Sequence, residues 1–165
     1  MNFKHLLIVG LTIITLSGCF NEEITCTDES VKKLVEEIVI PEIKESLKLE
    51  RIKKENLGHA MLYATYKRAN MDIGTFMKGD KLAAYQQTLN TAQNDVNEIF
   101  EGYKFALINM RTTNKDKELH KVSCSGTAQL TFAIYPEDPV DTGISYNAQL
   151  SDDMENVYVE VTEME

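Results

Sequence analysis

The chain has 165 residues, of which 26 are Asp or Glu and 17 are Lys or Arg, so its formal net charge is −9. So acidic a chain lacks the positive surface that attracts nucleic acid or anionic lipid, and neither is expected as an electrostatic partner. Basic proteins, neutral surfaces and small ligands remain as the expected partner classes. The length suits one domain with a hydrophobic core.

The N-terminus begins with a short segment containing Lys4, followed by a mostly apolar run over residues 6–16. This run is too short to span a bilayer stably, but it suits the apolar part of a signal peptide. It ends in Leu16, Ser17, Gly18 and Cys19, where small residues precede a cysteine. A conventional secretory signal and a buried core helix are the alternatives.

These four residues resemble, position by position, the lipobox of the bacterial lipoprotein signal family. The resemblance implies that residues 1–18 are a cleaved signal peptide and that Cys19 becomes the acylated N-terminus. Cleavage removes one basic residue, Lys4, so the 147 remaining residues would carry a formal charge of −10. Several acyl chains on Cys19 would anchor the protein stably in the bilayer, whereas a single chain binds only marginally.

Residues 19–25 are expected to form the lipidated N-terminus and a short spacer. In enteric members of the lipoprotein family, an aspartate after the lipidated cysteine retains the protein in the inner membrane. Phe20 occupies that position here. The resemblance therefore implies a lipid anchor in the outer membrane, with the domain facing the periplasm.

Two cysteines remain once Cys19 is acylated, Cys26 and Cys124. An even pair in an oxidising compartment predicts one disulfide, which would close a loop of about 98 residues. Two free structural thiols are the alternative. A disulfide would also remove Cys124 as a candidate thiol nucleophile.

Residues 26–165 are predicted to form one α+β domain. A first helix is expected from Asp28, with apolar residues at helical spacing, and Pro41 predicts either a kink near Ile40 or a restart. Residues 53–80 are the least readable part of the chain, and within them residues 61–66 suit either a helix or a strand. A loop there carries Phe76 and Met77, which either offer a binding patch or cover the core.

A second long helix is predicted over residues 81–102, where seven apolar residues form one continuous stripe and Gly102 is placed to end it. The stripe is either a coiled-coil seam or, as the following strands favour, a helix face packed on a sheet. The stripe comprises Tyr85, Leu89, Ala92, Val96, Ile99, Phe100 and Tyr103.

From Lys104 onward, alternation of period two predicts four strands, over residues 104–111, 122–134, 144–150 and 157–162. Polar turns are expected at residues 112–116, 136–139 and 151–156. Gly126, in mid-strand, predicts a bulge or a close approach by the helix backbone. Short connections imply an antiparallel, roughly four-stranded meander, with two long helices packed on one of its faces.

The other face of the sheet is predicted to be polar and solvated, and it is a candidate partner surface. Its residues are Ser123, Ser125, Thr127, Gln129, Thr131, Tyr158 and Glu160. Phe76 and Met77 are the second candidate. Residues 26–52 and 104–162 also resemble small uncharacterised exported bacterial domains, a resemblance that supports the paired cysteines and the order of helix and sheet but implies no activity.

No catalytic or cofactor-binding pattern emerges. His59 and His120 are 61 positions apart and lack the spacing of a metal site, and no phosphate-binding or calcium-binding motif is present. We therefore expect no metal, no cofactor and no enzymatic activity. The expected function is that of a membrane-anchored periplasmic lipoprotein that binds a protein. The alternatives are an inhibitor (toxin immunity, lysozyme inhibition or phage exclusion) and a binder of small ligands or lipids.

Overall fold

The computed structural model describes the backbone of residues 12–15 and all of residues 23–165. The predicted lipobox, the acylation site Cys19 and the first spacer residues lie outside the described residues. Three helices are followed along the chain by a four-stranded antiparallel meander, which confirms the α+β class. The elements are β1 (Thr12–Thr15), α1 (Glu29–Glu55), α2 (Leu57–Arg68), a 3-10 turn (Ile73–Thr75), α3 (Asp80–Ile99), β2 (Lys104–Asp116), β3 (Lys121–Phe132), β4 (Tyr135–Leu150) and β5 (Asn156–Met164).

The described chain divides into two compact units. One contains the sheet and the residues up to Ile40, and the other runs from Pro41 to Gly102. Helix α1 contributes its first part to the sheet unit and the remainder to the helical unit. None of the helices in the described part of the chain is long and apolar enough to cross a membrane.

The sheet has the strand order β1-β5-β4-β3-β2, and every neighbouring pair is antiparallel. Cys124, Tyr146 and Val161 lie side by side across three strands and are buried, which marks the inner face. Val122, Ala148 and Val159 form the next buried row. In the same unit, α1 buries Val31, Leu34, Val35, Ile38 and Val39 at the predicted helical spacing.

Two predicted turns are strand in the structure. Residues 112–116 continue β2, because the pairing with β3 persists past a second irregularity to Asp116 and Lys121. Residues 136–139 belong to β4, yet they have no partner between the pairs of Tyr135 and Val140. Pro136 and Pro139 suit this unpaired stretch, since proline cannot donate to a ladder. The turn between β3 and β4 comes before these residues, between Phe132 and Tyr135, and it contains the exposed Ile134.

The helical unit contains the residues whose secondary structure was ambiguous from the sequence. Helix α1 continues through Pro41 to Glu55, and α2 begins immediately afterwards. The Asn56 side chain caps α2 by accepting a 3.0 Å hydrogen bond from the backbone N–H of His59. The ambiguous residues 61–66 are therefore helical.

The helical unit has its own core. Ile52 of α1, Ala60 of α2 and Ala92 of α3 are buried in one cluster, against which Leu49, Tyr63 and Leu89 pack. The His59 and Tyr85 rings meet edge to face at 5.4 Å. Helix α3 ends at Ile99 with Phe100 as its C-cap, so the prediction that Gly102 caps this helix is wrong. Gly102 lies two residues beyond the cap, where its φ of 65° is in the left-handed region.

Candidate partner-binding surface

A disulfide joins the segment before α1 to the inner face of β3. Cys26 and Cys124 are bonded, their Cα atoms are 5.8 Å apart, and both residues are buried. The predicted pairing is therefore confirmed, and neither sulfur is a free thiol.

Tyr146 reinforces this connection beside the disulfide. Its side chain is 1% exposed, and its hydroxyl donates a 2.9 Å hydrogen bond to the carbonyl oxygen of Cys26. Burial raises the pKa of Tyr146 well above its ordinary value of 10.0, and the nearby Asp28 carboxylate adds to the shift. Tyr146 therefore stays protonated and keeps its donor proton at neutral pH.

The opposite face of the sheet carries the predicted polar residues. Ser123 donates a 2.8 Å hydrogen bond to Asn147, which pairs in turn with Glu160 on β5. Farther along, Gln129 donates a 2.9 Å hydrogen bond to Asp141. Tyr158 is half-buried and lies beside Gln149. The structure thus places Gln129, Thr131, Tyr158 and Glu160 on one face, where they stand on β3 and β5 with β4 between them.

A shallow cleft of about 490 Å³ lies in this outer face, at a row of four residues contributed by four strands. The row consists of Arg111, Ser125, Ser145 and Glu163, in the order of their strands across the sheet. The two serines are half-buried, while the charged residues at the two ends are exposed. Gly143, beside the row, also lines the cleft and contributes no side chain to fill it.

A bulge in β2 shapes one side of the cleft. Pairing with β3 shifts between Ile108 and Arg111, and Asn109 adopts φ of 54°, a left-handed conformation that asparagine tolerates better than most residues. The bulge brings Met110 against Gly126 of β3, where an added Cβ would lie 2.5 Å from the Met110 sulfur. The bulge therefore lies on the neighbouring strand β2 and not at Gly126, and the close approach to Gly126 comes from Met110 and the Ile108 carbonyl of β2 instead of the helix backbone that was expected.

Several cleft residues were missed by the sequence analysis, namely Asn109, Arg111, Gly143, Ser145, Glu163 and Glu165. The alternation over residues 144–150 is the signal that could have placed Ser145 on the same face as Ser125. Arg111 carried no such signal, because the bulge at Asn109 changes which β2 residues face outward.

The negative charge is unevenly distributed between the two units. Counting residues 23–40 and 103–165, the sheet unit has sixteen Asp and Glu against seven Lys and Arg, a formal charge of −9. The helical unit has nine of each and is neutral. Glu160, Glu163 and Asp141 are exposed on the outer face or its cleft. The acidity inferred from composition therefore belongs to the unit that carries the cleft.

A second cleft, of about 350 Å³, contains acidic and basic side chains that form ion pairs with one another. The Glu23 carboxylate lies 2.7 Å from the ammonium of Lys115 and 3.6 Å from that of Lys117. The hydrogen bond from Lys115, followed by the charges of both lysines, lowers the pKa of Glu23. These lysines already neighbour an anion, so this cleft is a weaker candidate for ligand binding.

Phe76 and Met77 belong to the helical unit and differ in burial. Phe76 is 60% exposed, with its ring 5.7 Å from that of Tyr66, whereas Met77 is half-buried. Phe76 therefore does not cover the core, although Met77 is partly withdrawn from solvent. This pair is separate from the sheet surface.

The described histidines have structural surroundings. His59 Nδ1 lies 3.0 Å from the hydroxyl of Thr88, and His120 is in the turn before β3. Within residues 23–165, no three His, Cys, Asp or Glu residues are grouped closely enough to hold a metal ion.

No family model matches the chain, and no curated protein or solved structure matches it either.

Proposed function

We propose that this chain is a membrane-anchored periplasmic lipoprotein that binds a basic protein partner through the outer face of its sheet, without catalysing a reaction. The observation that carries the proposal is the outer-face cleft, which has Glu163 and Glu165 at one end and Arg111 at the other, set in a unit of charge −9. Complementary charge steers a basic partner to such a surface and favours it over acidic competitors.

The shape of the surface supports protein binding. Its central side chains are short, namely Ser123, Ser125, Thr127 and Ser145, so a partner can approach the strands closely. The cleft is open, and its end at Glu163 and Glu165, opposite Arg111, suits a lysine or arginine side chain projecting from the partner. Interfaces of this polar kind commonly combine direct and water-mediated hydrogen bonds.

The lipobox and the disulfide together support the proposed anchor and compartment. Leu16, Ser17, Gly18 and Cys19 have the residue types of a lipoprotein processing site, and Phe20 favours the outer membrane. The Cys26–Cys124 disulfide is consistent with an oxidising compartment. Both observations support export to the periplasm.

Charge reversal tests the surface. The variant carrying Glu160→Lys and Glu163→Lys alters two exposed acids of the outer face, and the control carrying Glu98→Lys and Glu101→Lys alters two exposed acids of the helical unit by the same charge. After cross-linking in intact envelopes, the wild type and the control should recover the same basic protein in stoichiometric amount. The outer-face variant should lose it.

Recovery of no stoichiometric protein with the wild type would count against a binding role. Recovery of equal amounts of the basic protein by both variants would exclude the outer face as its binding site.

An inhibitor is the second candidate, and the concentration of negative charge in one unit favours it. Toxins and muramidases that are basic would be attracted to the same face. Inhibition of a basic muramidase, or protection of cells against a toxin or phage, would support this function. If the protein neither inhibits the muramidase nor protects cells against the toxin or the phage, the inhibitor function is excluded.

A further inference from the structure

Strand β5 lies next to the edge of the sheet, and the strand that covers it comes from the predicted signal peptide. Residues Thr12–Thr15 pair with β5 antiparallel, with Thr12 opposite Val159 and Thr15 opposite Asn156. The lipobox places cleavage after Gly18. Processing would therefore remove β1 and leave the outer edge of β5 without its neighbour.

We infer that cleavage opens the β5 edge and that an extended segment of the basic partner then adds there as an antiparallel strand. This inference rests on the proposed function, since it requires removal of residues 1–18. It specifies how the partner binds: main-chain hydrogen bonds along β5 give affinity, and side chains beside them give selectivity.

The β5 edge is positioned for such an addition. Val157, Val159 and Val161 are fully buried on the inner face, so the core holds the strand in place. The pairing with β1 shows that, among the described residues, no helix or loop lies along this edge of residues 156–159. The backbone groups of Asn156 point the other way and bond to Ser151 in the turn before β5. An edge with unpaired N–H and C=O groups is a template for another strand.

The edge also indicates the chemistry of its occupant. The segment paired there has the sequence Thr-Ile-Ile-Thr, which is uncharged and rich in the β-branched residues that strands favour. Glu155, Glu160 and Glu163 stand on and beside β5 and are exposed. We therefore expect an uncharged β-branched segment flanked by lysine or arginine.

A second copy of this chain is a poorer occupant. Antiparallel pairing of β5 with itself would bring two sets of these glutamates together, and the two sheet units would each carry a charge of −9. Like charges across neighbouring strands are destabilising. A basic segment instead meets complementary charge.

Strand addition would also enlarge the proposed binding face. Tyr158 and Glu160 belong both to β5 and to the outer face, where they neighbour Gln149 and Asn147 of β4. A partner strand beside β5 would place its own alternate side chains next to them. The edge and the cleft would then form one continuous interface.

The test uses the lipidated mature protein in detergent and a peptide containing residues 11–16 with two lysines at each end. Amide exchange of Val157 and Val159 should slow by about tenfold or more at saturating peptide, with no change in α3. Their N–H groups face the edge, because the N–H of Asn156 already donates to Ser151 on the other side of the strand. A matched peptide with proline in place of Ile14 should give no protection, because proline lacks the ladder donor. The uncleaved precursor should bind neither peptide, because its own β1 occupies the edge.

Four results would overturn the inference. Unchanged exchange in β5 with the lysine-flanked peptide would show that the edge does not accept a strand. Peptide-independent protection of β5 in a dimer seen by sedimentation would identify a second copy as the occupant. Retention of residues 12–15 in the envelope protein, detected by mass spectrometry, would contradict both this inference and the proposed processing. Cleavage before Cys19 without peptide binding would contradict this inference alone.

Discussion

The Tyr146 hydroxyl donates a 2.9 Å hydrogen bond to the carbonyl oxygen of Cys26, and Tyr146 lies directly opposite Cys124, to which Cys26 is bonded. One covalent bond and one buried hydrogen bond thus hold the segment before α1 to neighbouring strands. The two connections can be removed separately, which allows each contribution to be measured.

Removing the disulfide should destabilise the sheet unit strongly. The bond spans a sequence separation of 98 residues. A disulfide that closes a loop of that size lowers the conformational entropy of the unfolded chain, which stabilises the folded state by about 4 to 5 kcal/mol. The double variant Cys26→Ser and Cys124→Ser should lower the free energy of unfolding in urea by this order. The wild type under reducing conditions should match it, and a loss below about 1 kcal/mol would contradict the entropic account.

Tyr146→Phe should destabilise the protein by about 1 to 3 kcal/mol, because the buried Cys26 carbonyl loses its hydrogen-bond donor while the ring packing remains. Urea denaturation at pH 7 measures the effect. A matched control is Tyr158→Phe on the outer face, where the tyrosine is only half-buried. Equal losses from both variants would show that the Cys26 hydrogen bond is not the cause.

The same residue predicts a loss of stability at alkaline pH. The pKa of Tyr146 is raised in the folded state, so folding favours the protonated hydroxyl. Its contribution is fully present below pH 10, the unfolded value, and declines as the pH rises further, by up to about 1.4 kcal/mol per pH unit. Tyr146→Phe should show a shallower decline above pH 10. Parallel curves for the two proteins would exclude this linkage.

Gly126→Ala should destabilise the sheet by about 1 to 3 kcal/mol, because the new Cβ would lie 2.5 Å from the Met110 sulfur and 3.0 Å from the Ile108 carbonyl oxygen. Gly143→Ala is the matched control, since its Cβ would meet only the Glu165 side chain at 3.8 Å. Thermal unfolding of both variants measures the difference. If Gly126→Ala is as stable as Gly143→Ala, the bulge is not held by this close contact.

Asn56→Ala should destabilise α2 by about 1 kcal/mol, because the backbone N–H of His59 loses its capping acceptor. Amide exchange over residues 57–68 should accelerate correspondingly. Asn94→Ala, at an exposed position within α3, should be neutral or slightly stabilising, since alanine is the better helix former. Acceleration in α2 with the Asn94 variant would contradict the capping assignment.

Cys19→Ser should release the protein from membranes, because acylation is its proposed anchor. Envelope fractionation should find the variant in the soluble fraction, with the Cys26–Cys124 disulfide still formed on a non-reducing gel. Membrane retention of the variant, or loss of its disulfide, would show that anchoring and folding are not separate roles of the three cysteines.

The amino-acid sequence alone determined the α+β class, the antiparallel meander and the pairing of Cys26 with Cys124. These features depend on local hydrophobic periodicity and on the number of cysteines. The sequence also placed Gln129 and Glu160 on the polar face, since alternation assigns alternate residues of a strand to opposite faces. The lipobox prediction likewise depends only on neighbouring residues, and it stays a prediction.

Only the tertiary structure decided the strand register, the bulge at Asn109, the extension of β2 to Asp116 and the helical state of residues 57–68. Register depends on pairing between residues distant in the chain, and a bulge reverses the outward-facing set beyond it. That is why Arg111 and Glu163 occupy the two ends of one row although no local pattern relates them. It is also why the partner of β5, a strand from the predicted signal peptide, could not be inferred from the sequence.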